Sequence, residues 1–432
     1  MNKLIVRFLA LVLPVAALGN GYDVPNVNPR DLAVGSAFVA AQQDAAAVFA
    51  NPAALARLEG LSLNLAGSLL DNRTTWNAPA GSGLGGSPTD AEVSPVFPVS
   101  LFASYSGILA GHGVGVGVGM NVPAGAHVFW PQGWTGRERI ITENRRIFAF
   151  YATAGLELVK QVRIGGGLVV YRGVEELVQG VSPGSGTAHL SAAGNKASYD
   201  LSLELTPFEN IPLTIAVDYK HQAIINLTGT AHFDVAPTLQ GTLQDQNASH
   251  VLPYPNQFHA AVAYKVVPPL TLGFTYTLSR YVIYSEDRFV GSKTLPADIV
   301  VPRNYGNGYT FRFGGEYMAT PRLAVRLGLE RDISGMPKVS GASPLTSPTY
   351  SPTLPDSNAW IGAGGVGWSF AQNFSVNASI FYAKFDDVQS TATVNVAGGP
   401  FPGLYQTHVI VYALGFVYNW APGESIGHMR PL

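Results

Sequence analysis

The segment Ile410-Val411-Tyr412-Ala413-Leu414-Gly415-Phe416-Val417-Tyr418-Asn419-Trp420 decides the fold. Its bulky apolar side chains recur at every second position, with Val411, Ala413, Gly415, Val417 and Asn419 between them. That period of two belongs to a β-strand whose two faces meet different surroundings. The stripe returns as Phe374, Val376, Ala378, Ile380 and Tyr382 against Ser375, Asn377 and Ser379, and as Leu270, Leu272, Phe274 and Tyr276 against Thr271, Gly273, Thr275 and Thr277. Alternation alone leaves a soluble sandwich and a membrane barrel both open. Connection lengths separate them. Tight connections fall around Leu109, Gln161, Asn210, Pro268, Thr320 and Gln372, and long Gly-, Pro- and Ser-rich stretches around Ser87, Gly133, Ser185, Gln240, Leu295, Ser347 and Gly398. Strict alternation of short turns with long loops is the pattern of an outer-membrane barrel, whose short turns lie in the periplasm. The expectation is an all-β fold, a transmembrane antiparallel barrel of about fourteen strands over 59–420. An even strand number returns the C-terminus to the periplasmic side.

Composition agrees with an exported barrel. Only 12% of the 432 residues are charged, 48 are glycine and none is cysteine, which excludes disulfides and thiolate metal sites. A net charge of -2 assembles no basic surface for nucleic acid. Residues 1–19 read as a secretory signal, with Lys3 and Arg7 ahead of an apolar run from Phe8 to Leu18 and small residues at Ala17 and Gly19. The run is broken by Pro14 and is shorter than the roughly 20 apolar residues a spanning helix needs. No later stretch is a candidate helical span, whereas a barrel needs only every second residue to face lipid.

Ahead of the first strand lie Asn28-Pro29-Arg30-Asp31-Leu32 and then Asp44-Ala45-Ala46-Ala47-Val48-Phe49-Ala50-Asn51-Pro52-Ala53-Ala54-Leu55, rich in small residues and helical in pattern. This segment, with its Asn51-Pro52-Ala53 triplet, resembles the N-terminal hatch of the outer-membrane long-chain fatty acid and aromatic hydrocarbon transporters (OMPP1/FadL/TodX type). Val122-Pro123-Ala124-Gly125, followed by Trp130, Pro131, Trp134, Gly136 and Arg137, is similar to a second family region, and Leu354-Pro355-Asp356 ahead of Trp360 to a third. The resemblance implies a fourteen-stranded barrel in the bacterial outer membrane with a hatch, residues 20–58, folded into its lumen. It implies a passive channel for hydrophobic molecules, long-chain fatty acids first and monoaromatic hydrocarbons or alkanes as the alternative. It implies no cofactor, a monomer, and contact with outer-membrane lipid and lipopolysaccharide. In that family a kink in the third strand opens the wall sideways, a role carried here to Asn121, Val122, Pro123, Ala124 and Gly125. One departure stands out: barrels of this kind usually end on an aromatic residue, yet a tail, 421–432, follows Trp420.

The residues themselves suggest roles. Asn51 offers donors and acceptors to wall groups that would otherwise be buried unpaired, and Pro52 breaks the helix before Ala53; a gate and a simple packing turn both fit. Gly113, Gly115, Gly117 and Gly119 leave one face of the third strand without side chains, so something must lie against it. Pro123 either kinks that strand or ends it. Parity turns Lys220, Arg312 and Arg326 inward, because a lipid-facing Arg or Lys at the midplane costs ~2–4 kcal/mol. They are candidates to hold a carboxylate, or else to pair with Asp218, Glu316 and Glu330. Arg172 falls on the outward face. Phe129, Trp130 and Trp134 are candidates for an outer capture groove, although Trp also favours membrane interfaces.

Two other classes compete. A barrel phospholipase needs Ser, His and an orienting polar group on one face, and the chain offers no Gly-x-Ser-x-Gly turn and no His-x-x-x-His pair, so no enzyme is expected. A structural barrel or adhesin remains open, but gives the hatch-like segment no purpose.

Overall fold

The computed structural model describes residues 21–24, 28–181, 186–292, 298–391 and 398–421; the secretory signal and all of the tail after Ala421 lie outside the described residues. Among them the chain is a closed antiparallel barrel of 14 strands. The strands are β1 (Gly60–Asn77), β2 (Val99–Leu109), β3 (His112–Phe129), β4 (Thr142–Val159), β5 (Val162–Gly180) and β6 (Gly186–Leu205). Next come β7 (Leu213–Lys220, resumed as Ala223–Val235), β8 (Gln246–Tyr254, resumed as Gln257–Val267), β9 (Leu270–Ser279, resumed as Glu286–Gly291) and β10 (Ile299–Pro302, resumed as Gly308–Thr320). The last are β11 (Leu323–Ile333), β12 (Ala359–Ala371), β13 (Phe374–Phe385) and β14 (Gly403–Trp420). Closure is by β1 on β14, from Leu61 opposite Trp420 to Asn77 opposite Leu404. Closing the sheet removes the two free edges that an open sheet would leave at β1 and β14.

The alternating stripes run as the sequence predicts. Tyr412, Leu414 and Phe416 are exposed outside while Val411, Ala413 and Val417 are buried, and Ile380 and Tyr382 stand outside against buried Asn377 and Ser379. No helix among the described residues is long and apolar enough to cross a membrane.

The lumen is filled by the N-terminal segment. Its helices are short: α1 (Pro29–Ala33), a 3-10 turn Val39–Ala41, α2 (Ala47–Ala50) and a second 3-10 turn Pro52–Arg57. Asn28 caps α1 with its side chain and Pro29 occupies the first turn, where no N–H is needed. Asn51 and Pro52 end α2. Such fragments have no core of their own; their residues are buried because the barrel encloses them.

The glycines on the inner wall make the seat. A Cβ on Gly113, Gly115 or Gly117 would collide with Ala56 O, Leu55 O or the Val48 side chain at 2.1, 2.4 and 2.3 Å. The bare face of β3 is therefore where the plug lies, as the sequence required. The same device recurs at Gly165 against Ala53 N (2.2 Å), at Gly314 and Gly328 against Val34 (2.3 and 2.2 Å), and at Gly273 against Phe38 (2.6 Å).

Candidate functional site

Three features of the interior bear on function: the anchors of the plug, the breaks in the wall, and the space left in the lumen. Asn51 is fully buried and its Nδ2 donates to Glu204 Oε2 on β6 at 2.9 Å and to Val39 O at 3.2 Å. Arg57 reaches the same carboxylate at 2.7 Å, and Ala53 N donates to Ser202 Oγ at 2.7 Å. The triplet is thus pinned to one strand. At the other end of the plug Arg30 and Arg326 share Glu316, at 3.1 and 2.6 Å. The first described residues form a third anchor: Gly21 N donates to Asp356 Oδ2 (3.0 Å), while Asp23 accepts from Tyr281 Oη (3.0 Å), Gln257 Nε2 (2.9 Å) and Ser279 Oγ (3.4 Å). Burial pushes the carboxyl groups of Asp23 and Asp31 up to about 7 and that of Asp356 to about 6.

At Pro123, where the sequence left a kink or a strand end both open, β3 runs on to Phe129 with its pairing broken. Its ladder with β2 stops at Leu101 opposite Met120, and its ladder with β4 is interrupted between Asn121 and Ala124. Farther out, Leu70 on β1 pairs with Val96 and Thr75 with Asp90, so the chain ahead of β2 follows β1 and leaves β3. The gap closes again only at Glu92 N, which donates to Phe129 O at 2.6 Å. Within it the vacated backbone of β3 is met by the N-terminal residues: Gly125 N donates to Tyr22 O (2.7 Å) and Val24 N to Pro123 O (2.9 Å). Asn121, Val122 and Ala124 are buried behind this bridge. Outside the gap stand the exposed side chains of Val93, Phe97 and Val99.

A luminal cavity of about 100 Å³ lies beside the plug. Its apolar lining is Val39 and Phe49 from the plug and Ile361, Phe381 and Phe385 from β12 and β13. Its charged lining is Asp23, Asp31, Glu330 and Asp332 together with Lys220 and Arg312. Both cations are engaged. Lys220 Nζ lies 2.8 Å from Asp200 and 2.9 Å from Asp218, and donates to Phe49 O at 2.5 Å. Arg312 Nε lies 3.3 Å from Glu330, and Arg312 donates to Thr277 Oγ1 at 2.5 Å. The structure brings Lys220 and Arg312 to one cavity and places Arg326 under the plug on Glu316. Arg172 is outside, bonded to Asn195 at 3.2 Å.

The aromatic residues proposed as a capture groove are placed otherwise. Trp130 and Trp134 are 0% and 3% exposed and stack at 4.3 Å, and their ring nitrogens donate to Pro352 O and Ile140 O. Phe129 is only partly exposed and ends the β3–β4 ladder opposite Thr142. They build the floor under the outer loops, because an indole whose N–H has a buried carbonyl partner is more stable inside than at a surface. The open apolar groove at the outer end lies instead among Leu177, Leu190, Phe233, Leu243, Phe289 and Ile299, and encloses about 320 Å³. Sequence reasoning missed it because these residues sit one each on separate strand ends and loops.

Between groove and cavity stands a buried charge network. Glu175 holds Arg145 at 2.6 Å and His250 at 2.5 Å, and Asp287 holds His250 at 3.2 Å and Arg303 at 2.7 Å. It ties β4 and β5 to β8, β9 and β10. No cluster suited to a metal ion occurs among the described residues.

Residues 10–420 match the family described as outer membrane protein transport protein (OMPP1/FadL/TodX). No curated protein sequence matches the chain. Among solved structures it is similar to a Pseudomonas aeruginosa FadL homologue, with TM-score 0.79, 16% identity and coverage of 92% of this chain and 99% of that one. The CymD monoaromatic hydrocarbon channel gives TM-score 0.66 at 13% identity, over 93% of this chain and all of that one. The Ralstonia pickettii toluene transporter TbuX gives 0.62 at 14%, over 92% and 100%. At such identities the likeness establishes the fold.

Proposed function

The chain belongs to the outer membrane protein transport family (OMPP1/FadL/TodX), and from that premise we propose a passive channel for small uncharged hydrophobic molecules, gated by its luminal plug and open sideways at β3. Family and fold make it an outer-membrane channel for hydrophobic substrates. The choice of cargo rests on one observation: both cations at the luminal cavity, Lys220 and Arg312, already pair with carboxylates. A fatty carboxylate entering there finds no open cation, so desolvating it is not repaid. An uncharged ring or short alkane needs only the apolar lining. Size argues the same way, since about 100 Å³ approaches the cavity that holds benzene in an engineered protein, and falls far below the ~300–1,000 Å³ of larger ligand sites. The long-chain fatty acid expected from the sequence therefore ranks behind a monoaromatic or alkane cargo of the kind named for CymD and TbuX.

In this reading the outer groove collects the molecule and local release of the plug opens the cavity. The β3 gap then lets the molecule leave sideways, sparing it the aqueous periplasm, which costs ~0.8 kcal/mol per exposed CH₂. Asn51, Pro52 and Ala53 are the gate residues; Lys220, Arg312 and Arg326 hold the wall and plug rather than the cargo. The test is uptake of labelled toluene and of a labelled long-chain fatty acid at limiting concentration, in cells lacking their own transporters. The cells express this chain or its Asn51→Ala/Pro52→Ala variant. Toluene uptake that depends on the chain and changes in the variant supports the proposal. Fatty acid uptake without toluene uptake overturns the cargo, and neither despite surface assembly overturns the channel.

A further inference from the structure

The wall has a second break. Between β8 and β9 the ladder runs outward to Gln257 opposite Ser279, and resumes at His250 opposite Phe289. Of the strand-to-strand backbone bonds only Arg280 N to Asn256 O (2.9 Å) falls between. The β8 backbone from Val251 to Tyr254 pairs with β7, and neither it nor Pro255 meets a β9 ladder. Two of these residues are proline and have no N–H to offer, as suits a strand edge. β9 fills the opening with a single 3-10 turn, Tyr281–Ile283.

That turn is held by side chains. Tyr281 points inward, 0% exposed, and donates to Asp23 (3.0 Å); Tyr284 points inward and donates to Asp287 (2.9 Å). The Tyr22 ring meets both edge-on at 5.5 and 5.6 Å. Val282, between them, faces outward at 50% exposure beside Val251 at 43%. Directly behind the opening Tyr254 and Gln257 line the luminal cavity. Apolar side chains thus face outside, aromatic rings stand inside, and no ladder closes the wall between. The residues that hold this turn, Tyr22 and Asp23, are the ones that also bridge the β3 gap.

We propose that residues 280–285 are a second lateral gate, through which uncharged apolar molecules pass between the outer leaflet and the luminal cavity, and that Tyr22–Val24 latch both gates together. The proposal deepens the reading of the chain as a channel for such cargo and rests on it. Its strand position sets the height: Arg280 lies ten residues beyond Leu270, which at ~3.4 Å per residue and a tilt of about 40° is roughly 25 Å above the periplasmic end, at the top of the apolar band. A molecule already dissolved in the outer leaflet would enter there without crossing the outer loops.

The test reads lateral access directly and needs no uptake. The sequence has no cysteine, so Tyr254→Cys supplies the only thiol, placed behind the gate. The full-length variant is reconstituted in vesicles containing a maleimide carried on a phospholipid acyl chain, and labelling is timed. Tyr281→Phe, added to it, removes one hydrogen bond to a carboxylate and should speed labelling about tenfold. Val282→Trp, added instead, covers the opening and should slow it several-fold. A labelling rate that neither change moves, or that only Pro123→Ala at the β3 gap moves, overturns the second gate. The same result leaves the channel reading to its own uptake test, so the two fail separately.

Discussion

Replacing Glu204 by Gln should release the plug and leave the barrel intact. Glu204 is fully buried on β6, accepts from Asn51 and Arg57, and lies 3.5 Å from Arg163. Removing one partner of a buried ion pair commonly costs ~3–5 kcal/mol. Two features lower that figure. Arg57 is 24% exposed and is able to turn to water, and Arg163 keeps Glu157 at 3.0 Å. What remains is the charged acceptor of Asn51 and the grip on Arg57, about 2–3 kcal/mol. At 1.4 kcal/mol per decade that shifts local opening of the plug by roughly 30- to 150-fold. Hydrogen exchange on peptides from 45–58 reads this shift, with peptides from β5 and β6 as internal reference. Faster exchange in the plug alone, accompanied by faster uptake of an uncharged aromatic, is the expected result. Unchanged exchange in 45–58, or equal acceleration throughout the barrel, would refute the idea that this carboxylate holds the plug to the wall.

Other consequences follow from the same geometry. Gly165→Ala should force the plug off β5, because the new Cβ would lie 2.2 Å from Ala53 N and 2.4 Å from the Pro52 carbonyl carbon; overpacking of this kind costs ~1–3 kcal/mol, and the same exchange experiment should report it. Lys220→Met leaves Asp200 and Asp218 buried without their cation, so the melting temperature should fall with a loss of ~3–5 kcal/mol, while the half-saturating concentration for an uncharged cargo stays within about twofold. A large selective loss of affinity would instead make Lys220 a ligand residue. Raising the pH should loosen the plug. The carboxyls of Asp23 and Asp31 titrate at about 7 in the folded chain against an ordinary 3.8, so the stability they contribute is full below about 4 and is lost as pH rises through 7. Exchange at 28–34, corrected for the intrinsic rate, should be faster at pH 8 than at pH 5; equal rates would mean that these groups are held ionised.

Strand pattern and turn spacing made the barrel legible because both report on single strands. The stripe of Leu270, Leu272 and Phe274 depends on nothing beyond its own segment and the lipid outside it. The bare face of β3 was legible for a related reason: four alternating glycines state that backbone lies opposite, and Leu55 and Ala56 supply it. What stayed hidden depends on partners distant in sequence. Trp130 is flanked by loop residues and looks available for cargo, but its N–H partner, Pro352 O, lies 222 positions away. Parity turned Arg326 inward without revealing that Arg30 competes for the same Glu316. The break in β9 was invisible because Tyr281-Val282-Ile283-Tyr284 is a run of bulky β-forming residues that reads as strand, and only the missing ladder separates a turn from a strand there.

A charged lumen in a channel for apolar cargo follows from how the plug is held. Part of the plug is held by apolar packing, with Val48, Leu55 and Leu32 in buried clusters shared with the wall, and full withdrawal would expose that area to water at ~25 cal/mol per Å². At the glycine seats Leu55, Ala56 and Ala53 approach the wall by backbone and Val48 and Phe38 by side chain. Its strong attachments are few and polar: Arg30 and Arg326 on Glu316, Asn51 and Arg57 on Glu204, Asp23 on Tyr281 and Gly21 on Asp356. Each can be exchanged for water at a net cost of about 1–3 kcal/mol, so one anchor can let go while the others keep the plug in the barrel. Apolar cargo needs only the side formed by Ile361, Phe381 and Phe385, which carries none of these anchors. On the proposed reading, a cargo resting on those three side chains leaves the polar anchors unengaged, so the gate would move without a carboxylate or a guanidinium having to accept the cargo.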